Sequence, residues 1–324
     1  MNTESVNQKK LCVCLTPLHV LIASRICEEN GVKFDLGLYL SYQQDKKQEL
    51  YFEKMHSFCK RIEFIQTPPE TYPKGVGKYL ALIIRRQHFL NIFATFGKFE
   101  YTLASSSINH YLWCAVQKAS PKILETYDDG LLNISTTPLS NYAKTSLFSN
   151  LLLKLSRLHI NKEKMRQRSS KHHSIYREKN WYSRSVFISL YRNNEPLIRH
   201  SESAPCLEIF IGPAPEAPEH VWQLVKKYLI THSKAMYLKH PREKDARFPD
   251  VLILDTDLII EDYVIQQMQN TGCSFIITGT ESSALINLSS IEGVTTQTIL
   301  PDYPEFKESR NLMRKHGIAL IHQN

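Results

Sequence analysis

Short runs of apolar and β-branched residues recur along the chain, separated by longer stretches with helical spacing. Residues 11–15, 34–40, 61–65, 101–104 and 122–126 read as strands. Residues 18–29, 46–58, 78–93 and 109–118 read as the helices between them. Strands that alternate with helices imply parallel crossovers and a sheet covered on both faces. The last of these strands ends at Tyr127-Asp128-Asp129-Gly130.

The alternation then stops. Residues 140–200 read as helical and basic, without clear strands, and residues 202–205 read as a linker. A second series follows, with strands at 207–211, 235–238, 251–254 and 275–278. Its helices are expected at 218–232, 261–270, 282–288 and 306–316. Two doubly wound, Rossmann-like α/β domains facing a central cleft are the economical architecture. Their expected bounds are 1–201, which contains the basic insertion, and 206–324. Ligands then bind at the carboxyl ends of the strands.

The length of 324 residues agrees with two domains. With 42% hydrophobic and 22% charged residues, the chain is an ordinary globular one, which excludes long disorder and coiled coil. Only 11 glycines are present, so glycine-rich cofactor loops are not expected. Lys9-Lys10 and the apolar run after it resemble a signal peptide. Pro17 and His19 interrupt that run, however, and Arg25 stands where a small residue is needed for cleavage. A core strand followed by a helix accounts for the same residues. The seven cysteines include no C-x-x-C pair, and Cys12 and Cys14 should face the same side of a strand. Buried, reduced thiols in a cytoplasmic protein follow.

The formal net charge is +8. Residues 141–200 hold 13 Lys and Arg against three Asp and Glu, a local excess of 13 − 3 = +10. Such a segment is either a solvated insertion or a face for an anionic partner such as a bilayer surface. Nucleic acid is not expected, because no nucleic-acid-binding motif accompanies the charge.

Four short constellations carry candidate chemistry. Asp128 and Asp129 sit where a parallel strand ends, and one of two adjacent carboxylates suits a general base. Lys239-His240-Pro241-Arg242 follows a later strand, with an imidazole able to give up a proton and cations able to hold an anion. Thr280-Glu281-Ser282-Ser283 begins a helix, where hydroxyl and N–H groups suit a phosphate. Glu261-Asp262-Tyr263 begins another, where a carboxylate suits ribose hydroxyls. Taken singly, each also reads as an ordinary turn or helix cap. No Walker A, G-x-G-x-x-G, G-x-S-x-G or H-E-x-x-H motif is present.

In this order, Asp-Asp-Gly, His-Pro, Glu-Asp-Tyr and Ser-Ser, the chain resembles the bacterial sialyltransferases, and most of all glycosyltransferase family 52. Cys14-Leu15-Thr16-Pro17-Leu18 and Ile260-Glu261-Asp262-Tyr263-Val264-Ile265 add to the likeness. The resemblance implies a GT-B fold, a CMP-sialic acid donor, a glycan acceptor such as lipooligosaccharide or capsule, inverting transfer, and no metal or cofactor. It gives His240 the role of assisting departure of CMP. Ser282 and Ser283 would hold the phosphate, and Glu261 the ribose or cytosine. Lys239, Pro241 and Gly212 would complete the donor side. The base is open. The family favours an Asp in the loop after the first strand of the second domain, but that loop here reads Gly212-Pro213-Ala214-Pro215-Glu216-Ala217-Pro218-Glu219. Glu216 is the first candidate, Glu219 the second, and Asp128 or Asp129 the alternative. The expected location is cytoplasmic, peripheral at the inner membrane, with the basic segment contacting anionic lipid or a second subunit. Two rivals keep the fold: transfer from a UDP-hexose or another CMP-nonulosonic acid, and a binding module without turnover.

Overall fold

The structure is a computed structural model that describes residues 9–68, 76–134, 147–178, 180–191, 205–243, 247–248 and 250–321. The chain divides into two compact units, Met1–Leu190 and Tyr191–Asn324.

The first unit begins with β1 (Lys10–Cys14), α1 (Pro17–Asn30), β2 (Leu36–Ser41), α2 (Lys46–Lys54) and β3 (Ile62–Gln66). It continues with α3 (Val76–Ala94), β4 (Tyr101–Ser105), α4 (His110–Ala119) and β5 (Ile123–Tyr127). Then come α5 (Leu147–Leu155), α6 (Lys162–Arg168), β6 (Ser169–Ser174) and β7 (Ser185–Phe187). The sheet order is β3-β2-β1-β4-β5-β6-β7, and all its pairings are parallel. The order reverses between β1 and β4, so the crevice at their carboxyl ends is the natural ligand position.

Alternation along β1 splits its side chains between two layers. Leu11 and Val13 join the apolar cluster built with Phe89, Phe93, Leu112 and Val116 of α3 and α4. Cys12 and Cys14 face the other side, with their sulfurs 3.8 Å apart. All seven cysteines are free thiols, and six are buried. Burial, reinforced by neighbouring thiols, pushes the Cys12, Cys27 and Cys59 thiols up, so they pack as small protonated groups. Thr16 caps α1 by accepting the His19 N–H at 3.3 Å, Pro17 occupies the first turn, and Gly31 ends the helix at φ 61°.

The segment expected to be a helical insertion is not wholly helical. It contains α5 and α6, but also β6 and β7, which extend the sheet. The reason is chemical. The buried side chains of β6 are polar, and they pair with β5 by hydrogen bonds rather than apolar contact. Thr126 meets Ser169 and His172 Nδ1, each at 2.8 Å. His173 Nε2 lies 2.7 Å from Glu125, which also accepts from Tyr101 at 2.9 Å. Burial works against the charge on Glu125, but these bonds and Lys171 outweigh it and hold its pKa below the usual value. Several cations of the segment are used internally. Arg166 pairs with Glu163 at 2.7 Å, Lys162 lies over Trp181, and Arg177 lies over Phe187.

Asp128 is fully buried and ties these pieces together. Its Oδ1 accepts from Asn133 at 2.8 Å, His172 at 2.8 Å and Asn180 at 2.9 Å. Its Oδ2 accepts from the Ser174 hydroxyl at 2.7 Å and the Ile175 N–H at 2.8 Å.

The second unit contains β8 (Cys206–Ile211), α7 (Glu219–Thr231), β9 (Met236–Leu238) and α8 (Ile260–Thr271). β10 (Ser274–Gly279), α9 (Ser283–Leu288), β11 (Val294–Thr298), α10 (Lys307–Lys315) and β12 (Ala319–Leu320) follow. The order β12-β11-β10-β8-β9 is again wholly parallel. The strand expected at 251–254 reduces to one parallel bridge from Ile253 to Tyr237. With Ile253 counted as the outer position, both units show the same winding about their first strand. β11 (Val-Thr-Thr-Gln-Thr) and β12 are strands beyond those expected. Of the linker expected at 202–205, only Pro205 lies among the described residues; residues 140–146, 179 and 192–200 of the basic segment also lie outside them. Among the described residues, no helix is long and apolar enough to cross a membrane.

The Asp128 network generates a stability prediction. Asp128→Asn turns one acceptor atom into a donor facing groups that are themselves donors. It should cost on the order of 3 kcal/mol, read by chemical denaturation. A loss under about 0.5 kcal/mol would mean that the carboxylate is not a structural tie.

Candidate functional site

Both sheets present their candidate residues at the carboxyl ends of parallel strands, because each strand there turns into a loop before its helix. In the first unit these ends bring together the exits of β1, β4 and β5.

Asp129 follows Asp128 after β5, and the two neighbours diverge completely. Asp128 is saturated within the fold, whereas the Asp129 side chain is 23% exposed. Its Oδ1 lies 2.9 Å from Nε2 of His19. His19 stands in the first turn of α1 and is 1% exposed. Its Nδ1 accepts the Leu15 N–H at 3.2 Å. The proton therefore sits on Nε2 and is donated to Asp129. Ser107, in the loop after β4, also hydrogen-bonds Asp129, and Ser105 donates to Ser107 at 2.9 Å. Burial works to raise the Asp129 pKa. The bonds from His19 and Ser107 and the charge of Lys162 outweigh it and hold the carboxyl below its usual value. Lys162 itself is pushed down by burial, partly offset by Asp129.

In the second unit, Gly212 follows β8 and donates its N–H to Leu238 O at 2.8 Å. A Cβ on Gly212 would meet the Tyr237 hydroxyl at 2.4 Å and the His240 nitrogen at 3.2 Å. Only glycine lets the β8 and β9 exits approach this closely. Tyr237 is fixed in turn by donating to Glu243 at 2.7 Å. Lys239 and His240 are half-buried, and Pro241 is exposed. His240 Nδ1 accepts the Arg242 N–H at 3.1 Å, which leaves Nε2 as the proton carrier. Burial pushes the His240 pKa below its ordinary value, and the Arg242 charge adds to this; Glu216 and Glu243 oppose it in part.

Glu261 opens α8 and is buried, and its Oε1 accepts from Asn287 of α9 at 2.9 Å. Ser282 caps α9 by accepting the Ala284 N–H at 3.3 Å, and Ser283 is the first residue of that helix. The start of α8 is thus tied to the end of α9 through Asn287. Glu216 is 65% exposed and pairs with Arg242 at 2.6 Å. Glu219 is 74% exposed and lies 3.7 Å from Arg247.

The structure therefore gathers Gly212, Lys239, His240, Glu261, Ser282 and Ser283 at one end of the second sheet. It places Asp129 at the corresponding end of the first and turns Asp128 inward. His19, Ser107 and Lys162 are participants that sequence reading missed. The available signal was the position of His19, two residues after Pro17 in the first turn of the helix that Thr16 caps.

Solved structures with this fold include the kitacinnamycin glycosyltransferase, with a TM-score of 0.52 and 8% identity over 97% of this chain and 86% of that one. Another is CalG4, the calicheamicin glycosyltransferase, with a TM-score of 0.52 and 11% identity over 98% of this chain and 86% of the other. The fold is GT-B. The chain is 28% identical to a CMP-N-acetylneuraminate:β-galactoside α-2,3-sialyltransferase of Pasteurella multocida, covering 96% of this chain and 98% of the relative. It is 29% identical to an N-acetyllactosaminide α-2,3-sialyltransferase of Haemophilus influenzae, covering 92% and 94%. The family model for glycosyltransferase family 52 matches residues 35–302, and the chain belongs to that family of enzymes.

Proposed function

We propose that this glycosyltransferase is an inverting sialyltransferase that moves sialic acid from CMP-sialic acid to a terminal galactose of a bacterial surface glycan, forming an α-2,3 linkage. The observation that carries this reading is the likeness, over more than nine tenths of the chain, to two α-2,3-sialyltransferases. The His-Pro and Ser-Ser motifs at one sheet end agree with it.

In this reading the second unit holds the nucleotide sugar. Ser282 and Ser283 bond the phosphate. Glu261, steadied by Asn287, takes the ribose or cytosine, and Lys239 adds positive charge. The reaction breaks the bond from sialic acid C2 to phosphate oxygen and forms one from C2 to the acceptor oxygen. The C2 centre passes through an oxocarbenium-like state. His240 gives its Nε2 proton, or a strong hydrogen bond, to the departing phosphate.

The acceptor proton goes to a carboxylate, and the surroundings of each candidate within its own unit favour Asp129 over Glu216. Glu216 is exposed and committed to Arg242. Asp129 is held by His19 and Ser107 yet keeps a surface. A carboxylate with a depressed pKa is a weak base, but it is charged throughout the physiological range. Proton removal late in an oxocarbenium-like reaction suits such a group. Asp128, with five donors on its two oxygens, has no capacity left for this task.

Three outcomes follow. CMP, and not UDP, should raise the melting temperature, and CMP-sialic acid should support transfer to a β-galactoside; a shift with UDP alone would indicate a hexosyltransferase. Asp129→Asn should lower turnover by about 100-fold or more, with Glu216→Gln within about threefold of the parent; the reverse pattern would return the base to Glu216. In the pH profile, the alkaline limb of kcat/KM should lie at lower pH than that of kcat. The free His240 pKa is depressed, so the free enzyme loses that proton as pH rises past the depressed value. A bound phosphate raises it again. Coincident limbs in the parent, or a limb unchanged in His240→Gln, would remove His240 from proton transfer.

A further inference from the structure

A buried histidine with both ring nitrogens committed is usually packing. His19 differs, because one of its two bonds is to a carboxylate with a surface. Its ring is fixed on three sides: Leu15 N–H bonds Nδ1 at 3.2 Å, Asp129 bonds Nε2 at 2.9 Å, and the ring stands edge-on to Tyr127 at 5.5 Å between centroids. Tyr127 is itself anchored by donating to Val13 O at 2.7 Å. The backbone bond to Nδ1 leaves Nε2–H as the only ring donor, and that donor points at Asp129. A tie between α1 and the exit of β5 would be served equally well by an apolar pair; this one presents a proton to a carboxylate.

We infer that His19 is the positioning residue of the transfer reaction: it holds the Asp129 carboxylate, through Nε2–H, in the orientation and charge state that receives the acceptor proton. The inference rests on the reading of Asp129 as proton acceptor. One Asp129 oxygen is engaged with His19, so rotation about the side chain is arrested, and the carboxylate keeps one face for a sugar hydroxyl. Ser107 limits the same rotation from the loop after β4.

Among the described residues, three charged or titratable groups face Asp129 from the elements around it: His19 from α1, Lys162 from α6 and Tyr127 from the end of β5. The Asp128 carboxylate is turned into its own donors. Burial pushes the Tyr127 phenol up, with neighbouring thiols and Asp129 adding to it, so it stays neutral. Lys162 is common to every variant below. Removing the Nε2–H alone should therefore raise the pH at which Asp129 loses its proton.

The test compares His19→Leu, which keeps volume and loses the donor, with His19→Gln, whose side-chain amide restores it. Two measurements are made on the full chain. One is the carboxylate titration of Asp129, followed by carbon NMR and assigned by its loss in Asp129→Asn. The other is the acid limb of kcat/KM for a β-galactoside acceptor, with the KM for CMP-sialic acid measured alongside. His19→Leu should move the titration and the acid limb upward by about one pH unit. Its transfer should fall by about tenfold or more at an unchanged KM for CMP-sialic acid, and His19→Gln should recover both shifts. A titration unmoved in a folded His19→Leu would overturn the inference, whatever happens to transfer. If His19→Leu does not fold, His19→Gln and the parent still decide: an Asp129 titration at the ordinary carboxylate value in both would overturn it. A titration that moves while Asp129→Asn transfers like the parent would overturn the catalytic reading of Asp129 and leave only the ion pair. Absence of transfer from CMP-sialic acid in the parent would count against the proposed donor, and the titration arm would still decide the role of His19.

Discussion

A carboxylate sealed from solvent must find its hydrogen-bond donors inside the protein, and Asp128 finds them on β6 and in the loops beside it. Much of the first unit follows from that requirement. His172 is stacked on Tyr182 at 4.0 Å so that its Nε2 can meet Asp128. Asn133 and Asn180 come from two different loops to the same oxygen. Since successive side chains on extended backbone point to opposite sides, burying Asp128 directs Asp129 the other way. Two identical residues in sequence thus become an internal tie and a partly exposed carboxylate.

The second unit depends on a close approach rather than on charge. Gly212 lets the exits of β8 and β9 come within a side chain's width, which sets His240 beside the first strand of the sheet. Glu261 is joined through Asn287 to α9, the short helix that Ser282 and Ser283 begin. Groups proposed to hold three parts of one nucleotide sugar thus rest on shared backbone and shared bonds, so displacing one displaces its neighbours.

Much of this was legible in the amino-acid order, for a physical reason. Strands buried on both faces are largely apolar, so β1, β2 and β10 stand out; β5 and β8 show shorter apolar runs, and motifs at the carboxyl ends of these strands fall where a parallel sheet binds ligands. β6 escaped because Ser-Ser-Lys-His-His-Ser is stabilised by hydrogen bonds that no hydropathy pattern carries. β11 escaped because alternation of Val and Thr with polar residues over so short a run resembles a loop. His19 was visible only as an interruption of an apolar helix. Its meaning depends on Asp129, which lies 110 residues further along the chain. The division of labour between Asp128 and Asp129 was equally hidden, because it is decided by donors on a strand that was itself unseen.

The polar strand β6 also sets an order of events during synthesis. The apolar strands β1 to β5 can collapse with their helices as soon as they leave the ribosome. Asp128, by contrast, meets His172 and Ile175 only across 44 and 47 residues of chain. Closing such a loop costs entropy before any contact repays it. Until β6 arrives, Asp128 has only Asn133 and water for partners, and four of its five donors are missing. A nascent chain that has exposed the whole Asp-Asp-Gly motif is therefore still chemically silent, and a product truncated before β6 contains the motif without the geometry that gives it meaning.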